Sequence, residues 1–197
     1  MKKIVLASKS ERRKELLGQI GIRPVIDESK IDENKYKFSS PVKLVETLSK
    51  VKAKAVSQKY KDAIIIGADT IVVLGNEIIG KPTSLKDAVK ILKKLSGKPH
   101  LVITGFTVLD TKTKKSVTKA VKTRVIFKKL SEEEIKAYVY SSKVLDKAGA
   151  YAIQDKAGMF ITGISGDYFN IVGLPIFKLS ESLKEFGIDV SSSWKKS

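Results

Sequence analysis

The chain has 197 residues, with 38 basic and 21 acidic side chains, one histidine, no cysteine and a formal charge of +17. That length suits one large α/β domain or two intimate lobes, and 42% hydrophobic with 30% charged residues excludes wholesale disorder and a multi-span membrane protein. Without cysteine there are no disulfides, no thiol catalysis and no thiolate zinc site.

Residues 4–7 read as a short apolar strand. Two lysines followed by only four apolar residues are too short for a secretory signal, and no apolar run approaches the roughly 18 residues of a spanning helix, so a soluble, cytoplasmic protein is expected. Ser10 is placed to cap a helix running to Ile20 and stopped by Gly21, with Leu16, Leu17 and Ile20 as its apolar stripe. Residues 23–26 read as a second strand, leading into a polar loop over 27–40. A helix starts at Pro41, a favoured first position, with Leu44, Leu48, Val51, Ala55 and Val56 on one face. Residues 63–69 form a buried strand closed by Asp69, and 71–74 with 77–79 form a hairpin about Gly75-Asn76. Ser84-x-x-Asp87 opens a helix ending at Gly97.

Residues 101–110 and 116–130 alternate and are rich in β-branched side chains, giving a second hairpin around the turn 111–115. Ser131-x-x-Glu134 is a capping box for a helix through about Ser142. The glycine-punctuated stretch 146–158 precedes a third expected hairpin, 159–164 with 168–172 across Ser165-Gly166-Asp167. Gly173-Leu174-Pro175 begins a last amphipathic helix stopped at Gly187, and the tail to Ser197 is expected to fray apart from Trp194. Helices and hairpins intermix, so the class is α/β with a mixed sheet.

The charge asks for an anionic partner, and nucleic acid is the default for so basic a chain. Yet only Arg12, Arg13, Arg23 and Arg124 are arginine, and dispersed lysine is also the mark of a solvated face. Few Asn, Gln and Met beside many lysines fit a heat-adapted source, or equally a biased genome composition. Ser8-Lys9-Ser10-Glu11-Arg12-Arg13 lies between a strand and a helix, where backbone N–H groups and the helix dipole favour polyphosphate; the same pattern suits a plain serine cap with arginines in solvent. Gly75 to Lys81 satisfies G-x-x-x-x-G-K, but Pro82 stands where a phosphate-binding loop needs Ser or Thr, which rules that motif out. Lys81 stays a candidate. Asp69 in Gly67-Ala68-Asp69-Thr70 sits where α/β proteins place catalytic groups, or else caps a loop. Glu28 is a second carboxylate suited to a divalent ion, with Asp32 and Glu33 close by in the same loop. His100 alone cannot build a transition-metal site and reads as structural, and no elbow motif supports a serine triad. Tyr151 and Tyr168-Phe169 either stack on a base or fill the core. The amide of Gln154 donates and accepts, which matches the edge of uracil or thymine.

Seven segments, taken in order, resemble the Maf-like nucleoside triphosphate pyrophosphatases: residues 6–17, Asp27-Glu28, Lys50-Val51-Lys52-Ala53, Gly67-Ala68-Asp69-Thr70, Gly80-Lys81-Pro82, residues 146–154 and Val172-Gly173-Leu174-Pro175. The resemblance implies one domain over 1–197 made of two lobes, with a bent mixed sheet, flanking helices and a central cleft, often as a homodimer. It implies hydrolysis of a nucleoside triphosphate to the monophosphate and pyrophosphate with a divalent cation, Mg²⁺ or Mn²⁺. Asp69 then matches the proton acceptor. Ser8, Arg12, Arg13, Lys52 and Lys81 match phosphate contacts, Lys52 and Lys81 also counting as catalytic cations, and Glu28 matches a cleft carboxylate that would share the metal with Asp69. Thr70 and Gln154 match positions tied to substrate choice, and Gln154 looks like the branch acting on dTTP and UTP; where 7-methylguanine triphosphate is the substrate, an acidic residue usually stands there. Asp155 departs from a frequent glycine. The partner implied is the nucleotide, with no membrane and no stable nucleic acid; the alternative is a basic nucleic-acid-binding module without hydrolase activity.

Overall fold

The structure is a computed structural model that describes residues 2–36, 38 and 40–195. Positions 37 and 39 of the expected polar loop and positions 196 and 197 of the expected tail lie outside the described residues. In chain order the elements are β1 (Lys3–Leu6), α1 (Glu11–Gln19), β2 (Val25–Ile26), α2 (Pro41–Ser57), β3 (Ala63–Leu74), β4 (Glu77–Ile79), α3 (Leu85–Leu95), β5 (Pro99–Asp110), β6 (Ser116–Phe127), α4 (Glu132–Ser141), β7 (Ile161–Ser165), α5 (Tyr168–Val172) and α6 (Ile176–Lys184), with short 3-10 turns between them. The strands form a mixed sheet in the order β2-β1-β3-β5-β6-β7, with β4 on β3. β1 is parallel to both β2 and β3, whereas β3–β4 and β6–β7 are antiparallel. This is the α/β class with a mixed sheet that the alternating pattern predicts.

The chain divides into two compact units, residues 1–69 with 104–121 and 173–197, and residues 70–103 with 122–172; β3, β5 and β6 each contribute to both. In the first unit, β1 and the start of β3 are apolar on successive residues, and Val5, Leu6 and Ile64 to Ile66 are wholly buried, as strands covered on both faces require. Helix α2 covers them with Ala53 and Val56. In the second unit, α3 and α4 pack Leu92, Leu95, Ile135 and Val139 against Val102, Val125, Phe127 and Phe160.

Two of the three expected caps form: Ser84 accepts from Asp87 N, and Ser131 with Glu134 makes the full capping box, whereas Ser10 makes no side-chain cap. Ser40, before Pro41, adds a cap by accepting from Lys43 N. Gly21 takes φ +82 after α1, where Ile22 N reaches back to Leu17 O.

Five expectations need correction. β2 holds only Val25–Ile26 and not residues 23–26, because Pro24 has no N–H to give a ladder. β3 does not end at Asp69 but runs unbroken to Leu74; the carboxylate is paired inside, so the strand need not stop for it. The buried side of α2 is Val45, Leu48, Ser49, Lys52, Ala53 and Val56, not the stripe through Leu44, Val51 and Ala55. The third hairpin is absent: β7 pairs with β6, and residues 168–172 are helix α5. Asp167 Oδ1 accepts from Phe169 N and Asn170 N, which turns the chain into a helix, and buried Asn170 donates to Val102 O and Thr123 Oγ1. Finally, among the described residues of the tail, Val190–Lys195 form a 3-10 turn where fraying is expected, with Trp194 Nε1 donating to Ile20 O at 3.2 Å.

The shifted face of α2 has a steric origin. A Cβ on Gly67 would lie 2.2 Å from Ser49 O and 2.9 Å from Ala53 N, and one on Gly105 would lie 2.5 Å from Val45 O. Backbone therefore meets backbone, and the small side of the helix must face the sheet. Gly67→Ala is expected to cost about 1–3 kcal/mol through overpacking, read as a lower denaturation midpoint. Gly18→Ala in α1, where nothing lies within 4 Å, is expected to gain a few tenths to about 1 kcal/mol from helix propensity.

Candidate active site

Asp69 lies inside β3, and its side chain is 9% exposed. An unpaired carboxylate there would cost several kcal/mol. Its partner is Lys52, from the fourth turn of α2: Nζ donates to Asp69 Oδ1 at 2.6 Å, and the lysine side chain is likewise 9% exposed. The same ammonium meets Glu33 Oε1 at 2.8 Å. Glu33 opens a 3-10 turn, Glu33–Lys35, whose N-cap Asp32 accepts from Asn34 N. Asp32 is thus occupied with the turn, and its neighbour is delivered to the lysine. One buried cation holds two carboxylates from different elements.

The strand–loop–helix junction supplies the next group. Ser10 flanks α1 but makes no side-chain cap; Ser8 Oγ instead accepts from Ser10 N at 3.3 Å and from Arg13 Nη1 at 3.1 Å. Arg13 Nε donates to Gly173 O at 2.9 Å. Burial lowers the Arg13 pKa from the usual guanidinium value, Asp69 opposes that, the like charge of Arg12 adds to it, and Glu33 raises it. The arginine therefore stands in electrostatic range of both carboxylates and of Arg12. It remains cationic at neutral pH. Arg12, on the same first turn, is half-buried. The opening turn of any helix has N–H groups without an intrahelical carbonyl, and with two guanidiniums beside them it suits an anion.

The first unit thus gathers Asp69, Lys52, Ser8 and Arg13, with Arg12 alongside. Glu28 is exposed and pairs with Lys9 at 3.0 Å. Thr70, Lys81 and Gln154 belong to the second unit. Thr70 is half-buried in β3, Lys81 is exposed two residues past β4, and Gln154 is exposed in a turn between two 3-10 segments. Within that unit the loop before Lys81 is tied to the segment leading to Gln154, because Gly149 N donates to Gly80 O at 3.0 Å. Gly149 needs its positive φ of +72, and a Cβ there would come 2.9 Å from Val72 Cγ2.

His100 and Tyr151 are core residues. His100 Nε2 and Tyr151 Oη are 2.8 Å apart, and both rings meet Phe127 edge-on at 4.9 Å. Burial pushes the His100 pKa down to about 4 and the Tyr151 phenol well up, so neither titrates near neutrality.

Two participants escaped the sequence reading. Glu33 passed for one acid among several in a polar loop; the signal that separates it is Asp32-x-Asn34, a turn-capping pair that leaves Glu33 free of that task. The carbonyl of Gly173 carries no side-chain signal at all.

Among the described residues no three His, Cys, Asp or Glu side chains cluster as a metal cage. Asp69 and Glu33, both on the Lys52 ammonium, nevertheless suit Mg²⁺, which is held by one or two carboxylates together with substrate phosphates.

A mixed sheet with a buried acid–lysine pair inside a central strand and an arginine-bearing helix start beside it describes an α/β fold with an ionic cluster chemically suited to an anion. Residues 3–186 match the family described as Maf-like protein, and the chain belongs to that family. It is 45% identical over 190 residues to the dTTP/UTP pyrophosphatase of Pelotomaculum thermopropionicum, covering 96% of this chain and all of that protein. It is 49% identical over 192 residues to the dTTP/UTP pyrophosphatase of Alkaliphilus metalliredigens, again over 96% of this chain and all of that one. A HAM1 protein from Coxiella burnetii superposes with a TM-score of 0.56 over 94% of this chain and all of that chain; at 13% identity the likeness speaks for the fold alone.

Removing the lysine from the buried cluster leaves two carboxylates without their shared cation. Lys52→Met is expected to lower stability by about 3–5 kcal/mol, measured by chemical denaturation. Adding Asp69→Asn to it should recover a good part of that loss. Simple additivity of the two single changes would show that the pair is not energetically coupled.

Proposed function

We propose that the chain hydrolyses dTTP and UTP to the nucleoside monophosphate and pyrophosphate. Its relatives of that name cover nearly its whole length, and the single structural observation behind the reading is the buried Lys52–Asp69 pair with Arg13 in range of it. Water attacks the α-phosphorus, the bond from that phosphorus to the bridging oxygen breaks, and pyrophosphate leaves. Asp69 takes the proton from the attacking water. Lys52 holds Asp69 in place through its 2.6 Å contact. Ser8, Arg12 and Arg13 grip phosphate oxygens, and Lys81 adds charge as pyrophosphate departs. Thr70 and Gln154 serve substrate choice, with the Gln154 amide pairing to the acceptor–donor edge of the pyrimidine.

A divalent cation, Mg²⁺ or Mn²⁺, belongs to this reading, with Asp69 and Glu28 as the side chains that would hold it and Glu33, on the same ammonium as Asp69, as a further carboxylate in reach. When bound it neutralises phosphate charge. The two compact units are proposed as parts of one domain, because three continuous strands serve both. A chain without cysteine that consumes nucleoside triphosphates suits the reducing cytoplasm. The nucleic-acid-binding alternative has only the net charge behind it.

Incubation with a nucleotide panel and Mg²⁺ or Mn²⁺ is expected to yield monophosphate and pyrophosphate in equal amounts, fastest from dTTP or UTP, and to stop on chelation. Release of orthophosphate from these substrates would reject the reading. Asp69→Asn is expected to lower kcat by roughly 10²–10⁴-fold, the scale of a lost general base, while Gly18→Ala, in the last turn of α1 with nothing within 4 Å of the added methyl, keeps wild-type turnover.

A further inference from the structure

Gln154 is presented by a turn, and that turn is closed by a side chain from another element. Asp155 N donates to Ala152 O at 3.3 Å, so Ile153 and Gln154 form the tip of a four-residue turn with an exposed glutamine. Tyr138, on α4, reaches both ends of it. Its hydroxyl accepts from Ala152 N at 3.2 Å and donates to Asp155 Oδ1 at 3.1 Å. The same carboxylate oxygen accepts from Ala157 N at 3.1 Å and so caps the next 3-10 segment. The tyrosine has little freedom of its own: it is 3% exposed and its ring packs edge-on to Phe160 at 5.3 Å. Its helix is anchored at the start by the Ser131–Glu134 capping box.

We infer that Tyr138, with Asp155 as its acceptor, is a positioning residue for base recognition: it clasps the two ends of the turn that carries Gln154. The inference rests on the reading that Gln154 contacts the pyrimidine. A phenol on a rigid ring can accept at one end of the turn and donate at the other, which no aliphatic or phenylalanine side chain does. Asp155, where the family resemblance puts a frequent glycine, thereby has a task outside the base contact itself. It links the glutamine turn to α4 and to the 3-10 segment after it.

The test compares Tyr138→Phe, Asp155→Ala, Asp155→Asn and Gln154→Ala. For each, KM and kcat are measured with UTP, together with inhibition by inorganic triphosphate, which has phosphates and no base. Tyr138→Phe and Asp155→Ala are expected to raise KM for UTP about tenfold, the scale of a lost hydrogen bond, with kcat and the triphosphate Ki near wild type. Asp155→Asn still offers an oxygen to both donors and is expected to keep the wild-type KM. A lower melting temperature with unchanged KM in both Tyr138→Phe and Asp155→Ala would make the clasp merely structural and overturn the inference. So would an equal rise in KM for UTP and in Ki for triphosphate. If Gln154→Ala raises KM but the clasp variants do not, the inference alone fails; if Gln154→Ala also leaves KM unchanged, the base-reading role of Gln154 fails and the inference with it.

Discussion

The contact on which the first unit depends is one of backbone against backbone. Helix α2 approaches β3 at Gly67 and β5 at Gly105 so closely that a methyl group at either glycine would overlap Ser49 O or Val45 O. Such an approach sets the rotation of the helix as well as its distance, since only its small side can face the sheet. Ser49 and Ala53 fill the contact, and Ser49 Oγ meets Thr107 Oγ1 at 2.9 Å, giving the buried hydroxyls partners. Lys52, between them in sequence, is carried to the depth of the strand and onto Asp69. A helix held farther off by larger residues would leave that lysine in solvent and the aspartate alone.

The electrostatics follow from that depth. Two charges in a low-dielectric interior attract strongly but lose hydration, so such a pair is a poor source of net stability and a good source of fixed geometry. Here the pair does not stand by itself: Glu33 joins the same ammonium, and Arg13, itself losing solvation, feels both carboxylates. Arg13 is held from two sides, by a serine hydroxyl and a backbone carbonyl, and has little reorganisation left to make when an anion arrives. The surplus of positive charge on the whole chain raises the local concentration of anions.

The second unit shows a different economy. Its core is aromatic, with His100, Phe127, Tyr138, Tyr151 and Phe160 meeting edge to face. The polar atoms at the rims of those rings are spent on backbone and on each other: Tyr151 on His100, Tyr138 on the turn at 152–155. Rigid rings placed this way transmit the shape of the core to loops that would otherwise have only their own short bonds to order them.

Much of this was legible in the chain itself. Caps at Ser84 and Ser131, the stop at Gly21 and the hairpin at Gly75-Asn76 are local chemistry, settled within a few residues, and they appear as the residues dictate. Asp69, Lys52 and Arg13 were identifiable as the charged residues of segments resembling the Maf-like family, although nothing in their spacing says that one ammonium holds two carboxylates. That required partners 17 or more residues away, as did the continuation of β3 through Asp69, which is tolerable only because a lysine from another element neutralises the buried charge. The misreading of residues 168–172 as a strand has the same cause: β-branched and aromatic composition favours a strand, but an aspartate taking two N–H groups and a buried asparagine bonding to β5 and β6 outweigh it. Sequence alone determined where the capped helices begin and which residues carry charge, because capping and propensity act over single turns. Which charges meet, which face of α2 turns inward and what Tyr138 holds were decided only by tertiary structure, because they depend on how closely two backbones can approach.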